Sequence, residues 1–344
     1  MYYPYLRGRQ NELLCLKELL DENKLSVKVT PILEPVKFSS TFLTTLKSFI
    51  ENDREILLIQ NPQVGRFDEG YAEALRKANE EEQEDTRIKL RRTLEEYENI
   101  LLDGHIRKAY LMNDVSVKKV LQMPEQEKKQ IYVLNQNRGD DNYYIQYGDK
   151  LSVRASFIPK DEDFKDEVPG NAIILEDCYQ KARRNIDYME QPDVSFSKNN
   201  LIFEKRGYKG FSDYSVIGKE YEESGFAPFA VAIHVVYFNE RQELRVHHFV
   251  SDSNWDYSDP ARKFGEAMEK LKERIRTEGR VLPGNIIKVD GFLNHRVDTA
   301  LMGELADEFA KYFDVKNITM VLTAEASGIA LATVCAERYG VPMV

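Results

Sequence analysis

Three cysteines in 344 residues are too few and too widely spaced for a disulfide frame. Cys15, Cys178 and Cys335 sit in apolar or mixed contexts and no pair has metal-site spacing, so they read as reduced thiols acting as small hydrophobes. No apolar run approaches the ~20 residues of a membrane helix, and MYYPYLRGRQ lacks the apolar stretch of a secretory signal. These absences predict a cytoplasmic protein with no membrane partner. A basic excess is missing too. Lys and Arg number 48 against 58 Asp and Glu, a net charge of −10, which gives no clear nucleic-acid footprint. G-x-x-x-x-G-K-[ST], G-x-G-x-x-G after a strand, the G-x-S-x-G elbow and H-E-x-x-H are all absent, and no metal site is predicted.

What is present is apolar material for packed cores, 42% hydrophobic and 11% aromatic. Through residue 267 short apolar runs alternate with helical spacing: KVTPILEPV (28–36), EILLIQNPQVG (55–65), IRKAYLMN (106–113), QIYVLNQN (130–137), KLSVRASF (150–157), NAIILEDCY (171–179) and GFSDYSVIG (210–218). Strands alternating with helices favour a parallel sheet with helical cover. Several runs end in a polar residue: Glu34, Asn61, Asn113, Asn135, Glu176 and Asp252. In a β/α barrel, strand ends converge on one mouth, so the pattern predicts a TIM-like barrel, regular or irregular. An open doubly wound sheet has similar strand ends and stays open at this point. FAVAIHVVYF (229–238) and LRVHHFVSDS (244–253), separated by NERQE, predict an antiparallel pair. Residues 68–102 read as one long charged helical stretch, with Glu80 to Glu84 on a solvated face.

The mouth of such a barrel would draw on Glu34, Asn61, Arg154, Glu176, Asp213 and Asp252. Glu34, Glu176, Asp177, Asp213 and Asp252 could be paired carboxylates for acid/base chemistry or a divalent metal, or merely cap strand ends and turns. An inward Arg154 would need an anion or carboxylate partner. His247 and His248 are adjacent in a strand, so their rings point to opposite faces. Asn61 to Gly65 reads as a turn.

Texture changes after residue 254. Asp259-Pro260 marks a helix start, and Phe264, Met268, Leu271 and Ile275 recur on one face of a helix over 261–278. A new α/β unit follows: a strand in IIKVDGFLNHRVD (286–298), an amphipathic helix over 300–313, a strand over 317–326, a Ser327-Gly328 turn, an Ala-rich helix closed by Gly340, and a further strand VPMV (341–344). A small-residue turn at a helix start leaves free backbone N–H groups that suit an anion, although every parallel α/β fold has such turns.

Two resemblances accompany these patterns. YYPYLRGRQNELLCLKEL (2–19), VTPILEPV (29–36), LLIQNPQVGRF (57–67), GFSDYSVIG (210–218) and HHFVSDSNWDYSDPARKFGEA (247–267) resemble an uncharacterised family of phage and bacterial accessory proteins, the beta family, with no known activity. KVDGFLNH followed by EASGIALA resembles the opening segment of bacterial xanthine phosphoribosyltransferase, from Met268 to Val344. The chain therefore divides into a barrel-like domain, 1–267, and a partial phosphoribosyltransferase-like α/β unit, 268–344, meeting in the stretch FGEAMEKLKERI as two incomplete partners would.

The second resemblance implies purine salvage, xanthine and phosphoribosyl pyrophosphate giving XMP and pyrophosphate. It implies xanthine contacts from Ile287 and Asn294, and a pyrophosphate loop at Glu325, Ala326, Ser327 and Gly328. No cofactor is expected, Mg²⁺ entering only with phosphoribosyl pyrophosphate in an intact enzyme. The family's later acidic pair and small-residue loop do not occur before Val344. Asp140-Asp141 is the one acidic pair to test, and it precedes the similar region. The expectation is a chain inactive as it stands, with a purine base as possible ligand. The alternative is a mobile-element accessory or interaction protein acting through its barrel on an unknown protein partner.

Overall fold

The computed structural model describes residues 1–80, 83–222, 228–255, 259–278, 280–282, 286–288, 306–307, 310, 318–321 and 329–342. Its strands are β1 (Tyr2–Leu6), β2 (Ile32–Leu33), β3 (Ile56–Ile59), β4 (Ile106–Leu111), β5 (Tyr132–Leu134), β6 (Ala155–Ile158), β7 (Ala172–Glu176), β8 (Asp193–Ser197), β9 (Phe211–Asp213), β10 (Ala232–Phe238), β11 (Leu244–Val250), β12 (Arg280–Leu282) and β13 (Ile286–Lys288). The helices used below are α1 (Gln10–Asp21), α2 (Ser40–Glu51), α3 (Phe67–Glu80), α4 (Glu84–Leu102), α5 (Asp114–Gln122), α6 (Glu125–Lys128), α7 (Asp141–Tyr147), α8 (Glu162–Glu167), α9 (Asn199–Ile202), α10 (Pro260–Glu278) and α11 (Ile329–Tyr339).

Eight strands, β1 to β7 and β9, close into a parallel barrel. The expected TIM-like architecture is therefore what the chain adopts, and the open sheet is not. Closure comes from β9, which pairs with β7 on one side and β1 on the other. Strands such as ILLI of β3 are buried on both faces, as parallel strands under helical cover must be. Tyr5, Ile32, Leu57, Leu111, Phe157 and Leu175 fill the lumen. Residues of the opposite parity, including Leu33, Leu58 and Ile106, pack outward against α1, α2 and α4.

Helix starts follow the capping chemistry. Ser39 accepts from Phe42 N before α2, and Asn113 accepts from Val115 N and Ser116 N before α5. The long charged stretch is two helices and not one. Glu80 ends α3 and Glu84 opens α4, and Ala74 and Ala78 of α3 pack on Leu94 of α4. Helical spacing continues through both segments, so periodicity alone could not show the break. Phe38, Phe67, Tyr71 and Tyr97 form an edge-on aromatic cluster at the base of this hairpin.

Outside β7 and β9 the cover is a second sheet, of order β10-β11-β8, rather than a helix alone. Ile174 and Phe211 of the barrel share a cluster with Phe196, Leu244 and Val246 of that sheet. The predicted antiparallel pair is β10 and β11, turning through Asn239, whose amide donates to the Glu243 carbonyl.

Helix α10 lies on this sheet. Asp259 Oδ1 accepts from Arg262 N at its start. Lys263, Ala267 and Leu271 are its buried positions, while Phe264 is half exposed, so the buried stripe runs one position off the one that Phe264 anchors in the sequence. The chain separates into two compact units, Met1–Phe292 and Leu293–Val344. In the second, α11 ends at Tyr339 and Gly340 adopts φ +67, with Val341 N donating to Ala336 O. This is the expected C′ glycine, in a region that other residues enter at a steric cost. Val321 N donates to Pro342 O at 2.9 Å, where the next strand was expected.

Candidate functional site

The C-terminal end of the barrel carries a closed polar arrangement. Lumen parity in β1 runs Tyr3, Tyr5, Arg7, and in β2 Ile32, Glu34. The guanidinium of Arg7 meets the Glu34 carboxylate there, with both side chains buried. Glu34 Oε2 also accepts from Tyr5 Oη at 2.6 Å and Oε1 from Gln63 N at 2.7 Å. Arg7 lies 4.9 Å from the centroid of Tyr5 and 5.4 Å from that of Tyr214. Tyr5 and Tyr214 are 4.6 Å apart, and Tyr214 Oη accepts from Gln136 Nε2 at 3.1 Å. Burial first, and the Glu34 charge second, push the Tyr5 phenol well above its ordinary range. Tyr5 is therefore a hydrogen-bond donor at any ordinary pH.

A strap, residues 215–222, crosses this mouth after β9. Lys219 O accepts from Arg7 Nη2, and Lys219 N donates to Asp177 Oδ2 at 2.8 Å. Lys219 Nζ donates to Gln136 O and Asn137 Oδ1, each at 2.9 Å. Arg9 Nη2 reaches Glu222 O. The strap thus ties together the loops after β1, β5 and β7. Gly218, at φ +77, lets it turn down against Asp177.

Of the sequence-predicted mouth residues, Glu34 belongs here. Asn61 stands at the mouth end of β3, but both its amide atoms are spent on β4. Nδ2 donates to Leu111 O and Oδ1 accepts from Leu111 N, which extends the ladder by one rung. Arg154 does not belong. It precedes β6, at the opposite end of the barrel, where its Nε donates to Tyr132 Oη at 2.7 Å. Asp252 follows β11 in the side sheet and pairs with Lys270 of α10. Asp177, one of the candidate carboxylates, holds the strap through Lys219 N; sequence reasoning missed Arg7, Gln136 and Lys219. The alternation Tyr3-Tyr5-Arg7 was the available signal, had 2–6 been read as a strand.

Glu176 and Asp213 are register partners but point away from the lumen, toward the side sheet. Asp213 shares its face with Phe211, Glu176 with Ile174. Glu176 Oε2 accepts from Asn199 Nδ2 at 2.6 Å. Asp213 Oδ1 accepts from Tyr2 Oη and Ser215 N, while Oδ2 is buried without a partner among the described residues. Burial raises the Asp213 carboxyl from 3.8 to about 6, against the pull of the Ser215 amide and the Tyr2 phenol. A folded value above the unfolded one means that the folded state holds more protons between them. Stability should therefore fall as pH rises from about 4 to about 6, by about 3 kcal/mol for this group. Asp213→Asn is expected to flatten that slope and to raise stability at pH 7. Urea unfolding at pH 4.5 and 7 measures it, and an unchanged slope would refute the assignment.

The adjacent histidines face opposite ways, as expected. His247 Nδ1 bonds Asp193 Oδ2 at 2.9 Å, while His248 Nδ1 lies 2.7 Å from His234 Nδ1. Burial, then the His248 charge, lowers His234 to about 4, so this pair is neutral at pH 7. A cavity of about 220 Å³ lies beside them, bounded by Pro192, His248, Val250, Lys270 and Arg274. Among the described residues no cluster of three or more His, Cys, Asp or Glu could hold a metal, and no helix is long and apolar enough to cross a membrane. Asp140, one half of the tested acidic pair, accepts from Asn137 N and caps the turn into α7. No small-residue loop follows it, so it does not fit a ribose-binding role.

In the C-terminal segment, Ile287 lies in β13, paired antiparallel with Val281 of β12. Asn294, Glu325, Ala326, Ser327 and Gly328 fall outside the described residues. Comparison with known proteins finds 77 residues, the length of 268–344, that are 56% identical to xanthine phosphoribosyltransferase of Lactobacillus delbrueckii subsp. bulgaricus. A segment of this chain is similar to xanthine phosphoribosyltransferase. The enzymes of that name from Ruminiclostridium cellulolyticum and Finegoldia magna are each 52% identical over the same length. Each match covers 22% of this chain, and the chain spans about 40% of the length of these relatives. No family model matches the chain.

Proposed function

We propose that the C-terminal segment is a purine-base recognition element of xanthine phosphoribosyltransferase type. The observation that supports this reading is 52–56% identity over 77 residues, with a predicted strand–turn–helix layout in that segment. Asn294 would offer an amide donor and acceptor to the xanthine edge, and Ile287 an apolar contact. Backbone N–H groups at Glu325 to Gly328 would face the pyrophosphate. The associated reaction, xanthine and phosphoribosyl pyrophosphate to XMP and pyrophosphate, also needs groups that hold the ribose 5′-phosphate and hydroxyls. The 344 residues offer no acidic pair in a small-residue loop for that task.

The expected result for the purified 344-residue chain is xanthine binding detectable by calorimetry, weakened at least about tenfold in Asn294→Ala, the loss of one or two hydrogen bonds. No XMP is expected by chromatography after incubation with phosphoribosyl pyrophosphate and Mg²⁺. XMP formation would refute the second half of the reading, and absence of xanthine binding the first. The barrel, which resembles the beta family proteins, lies outside the matched segment and would have a task of its own.

A further inference from the structure

We propose that the barrel mouth binds a small oxyanion, a phosphate or carboxylate group of a small molecule, on the Nε–Nη2 edge of Arg7 in a form of the protein whose strap has lifted. This site lies in the barrel and owes nothing to the purine reading. A guanidinium presents a fork of donors along each edge, and two parallel N–H bonds to one oxyanion are its strongest arrangement. In Arg7 the Nη1 side is committed to Glu34. The other edge is half used. Nη2 donates to the backbone oxygen of Lys219, and Nε, buried, has no hydrogen-bond partner among the described residues. A lone carbonyl oxygen cannot satisfy both donors of that edge, whereas a phosphate or carboxylate can. Leaving a buried cationic donor unmet costs stability, so a ligand group that meets both donors gains what the strap leaves unmade.

The surroundings suit such an occupant. Tyr5 and Tyr214 flank the guanidinium, and the Tyr214 hydroxyl stands beside the Gln136 amide. Glu34 is already neutralised by Arg7 and holds two further donors, so its charge is compensated on the far side. The strap is built to release. Within residues 215–222 only Gly218 is buried and only Val216 joins a described hydrophobic cluster, while Tyr214, just before them, belongs to the lumen cluster. Its hold on the mouth is polar, and the Lys219 ammonium supplies two of the anchoring bonds. Its carbonyl stands on the donor that the ligand would take.

The test is calorimetric titration of the full chain with inorganic phosphate and with acetate, in the wild type, Lys219→Ala and Arg7→Lys. Lys219→Ala frees the strap, and binding of at least one probe is expected to tighten about tenfold, the worth of one charge-assisted bond. Arg7→Lys keeps the charge and loses the fork, and binding should weaken at least about tenfold with the far-ultraviolet spectrum unchanged. The probe that binds identifies the group as phosphate or carboxylate. Failure of both probes to bind Lys219→Ala at millimolar concentration, or equal binding by wild type and Lys219→Ala, overturns the proposal. Equal binding by a folded Arg7→Lys overturns it as well. Should that variant not fold, the Lys219→Ala comparison decides alone.

Discussion

Glu34→Ala is expected to destabilise the barrel by about 3–5 kcal/mol, because it leaves Arg7 as an uncompensated buried charge. Both side chains are almost fully buried, at 4% and 0% exposure, so water cannot replace the lost carboxylate. The same substitution removes the acceptor of Tyr5 Oη and of Gln63 N, and each orphaned donor adds to the penalty. The paired replacement Arg7→Met with Glu34→Leu should recover most of the loss, since a buried ion pair often contributes little beyond an apolar pair of similar volume. Urea unfolding of the three proteins gives the comparison. A loss below about 1 kcal/mol in the single variant, the range of an exposed pair, would show the mouth open to water and the latch unimportant.

The second large effect concerns where the barrel unit ends. Ending the chain at Ala267 removes Lys270, Leu271 and Arg274. Leu271 is 5% exposed, Lys270 Nζ donates to Val250 O at 2.7 Å, and Arg274 lies 5.1 Å from the Tyr237 ring. The remaining part of α10 would span two turns, too short to hold as a helix without that packing, and apolar surface on β10 and β11 would be bared. Residues 1–267 are therefore expected to aggregate or to lose more than about 4 kcal/mol, the upper range for deletion of a large buried side chain. Residues 1–292 are expected to stay soluble and melt cooperatively. Thermal unfolding of the two proteins side by side is the measurement. Equal melting temperatures would mean that the second half of α10 contributes nothing to the sheet it covers.

The same helix shows what could and could not be read from the chain. Its start at Asp259-Pro260 was legible because capping is local. Its allegiance was not, because the resemblance changes at Met268 while the packing does not. The barrel was legible from apolar runs ending in polar residues, and Glu34 with it. Arg154 and Asp213 show the limit. A strand that begins at Ala155, five residues into the run KLSVRASF, puts Arg154 at the opposite end of the barrel. Parity turns Asp213 and Glu176 outward, although both stand where a strand ends. Register and parity are set by pairing across the sheet, and no single run contains that information. Arg7 needed the reverse insight, since its strand opens the chain in a segment too rich in tyrosine and charge to read as a core strand.

The barrel's seam lies between its first strand and its last. Tyr2 reaches Asp213 across 211 positions of sequence, so β1 must wait for β9 before its second edge is paired. During synthesis the ribosome delivers β9 long before anything past Met268 has emerged. Domains fold in that order, N-terminal first. The slow, long-range closure is thus complete in principle while the transferase-like segment is still unmade, and variants confined to 293–344 should alter neither the rate at which the barrel seals nor its yield from translation.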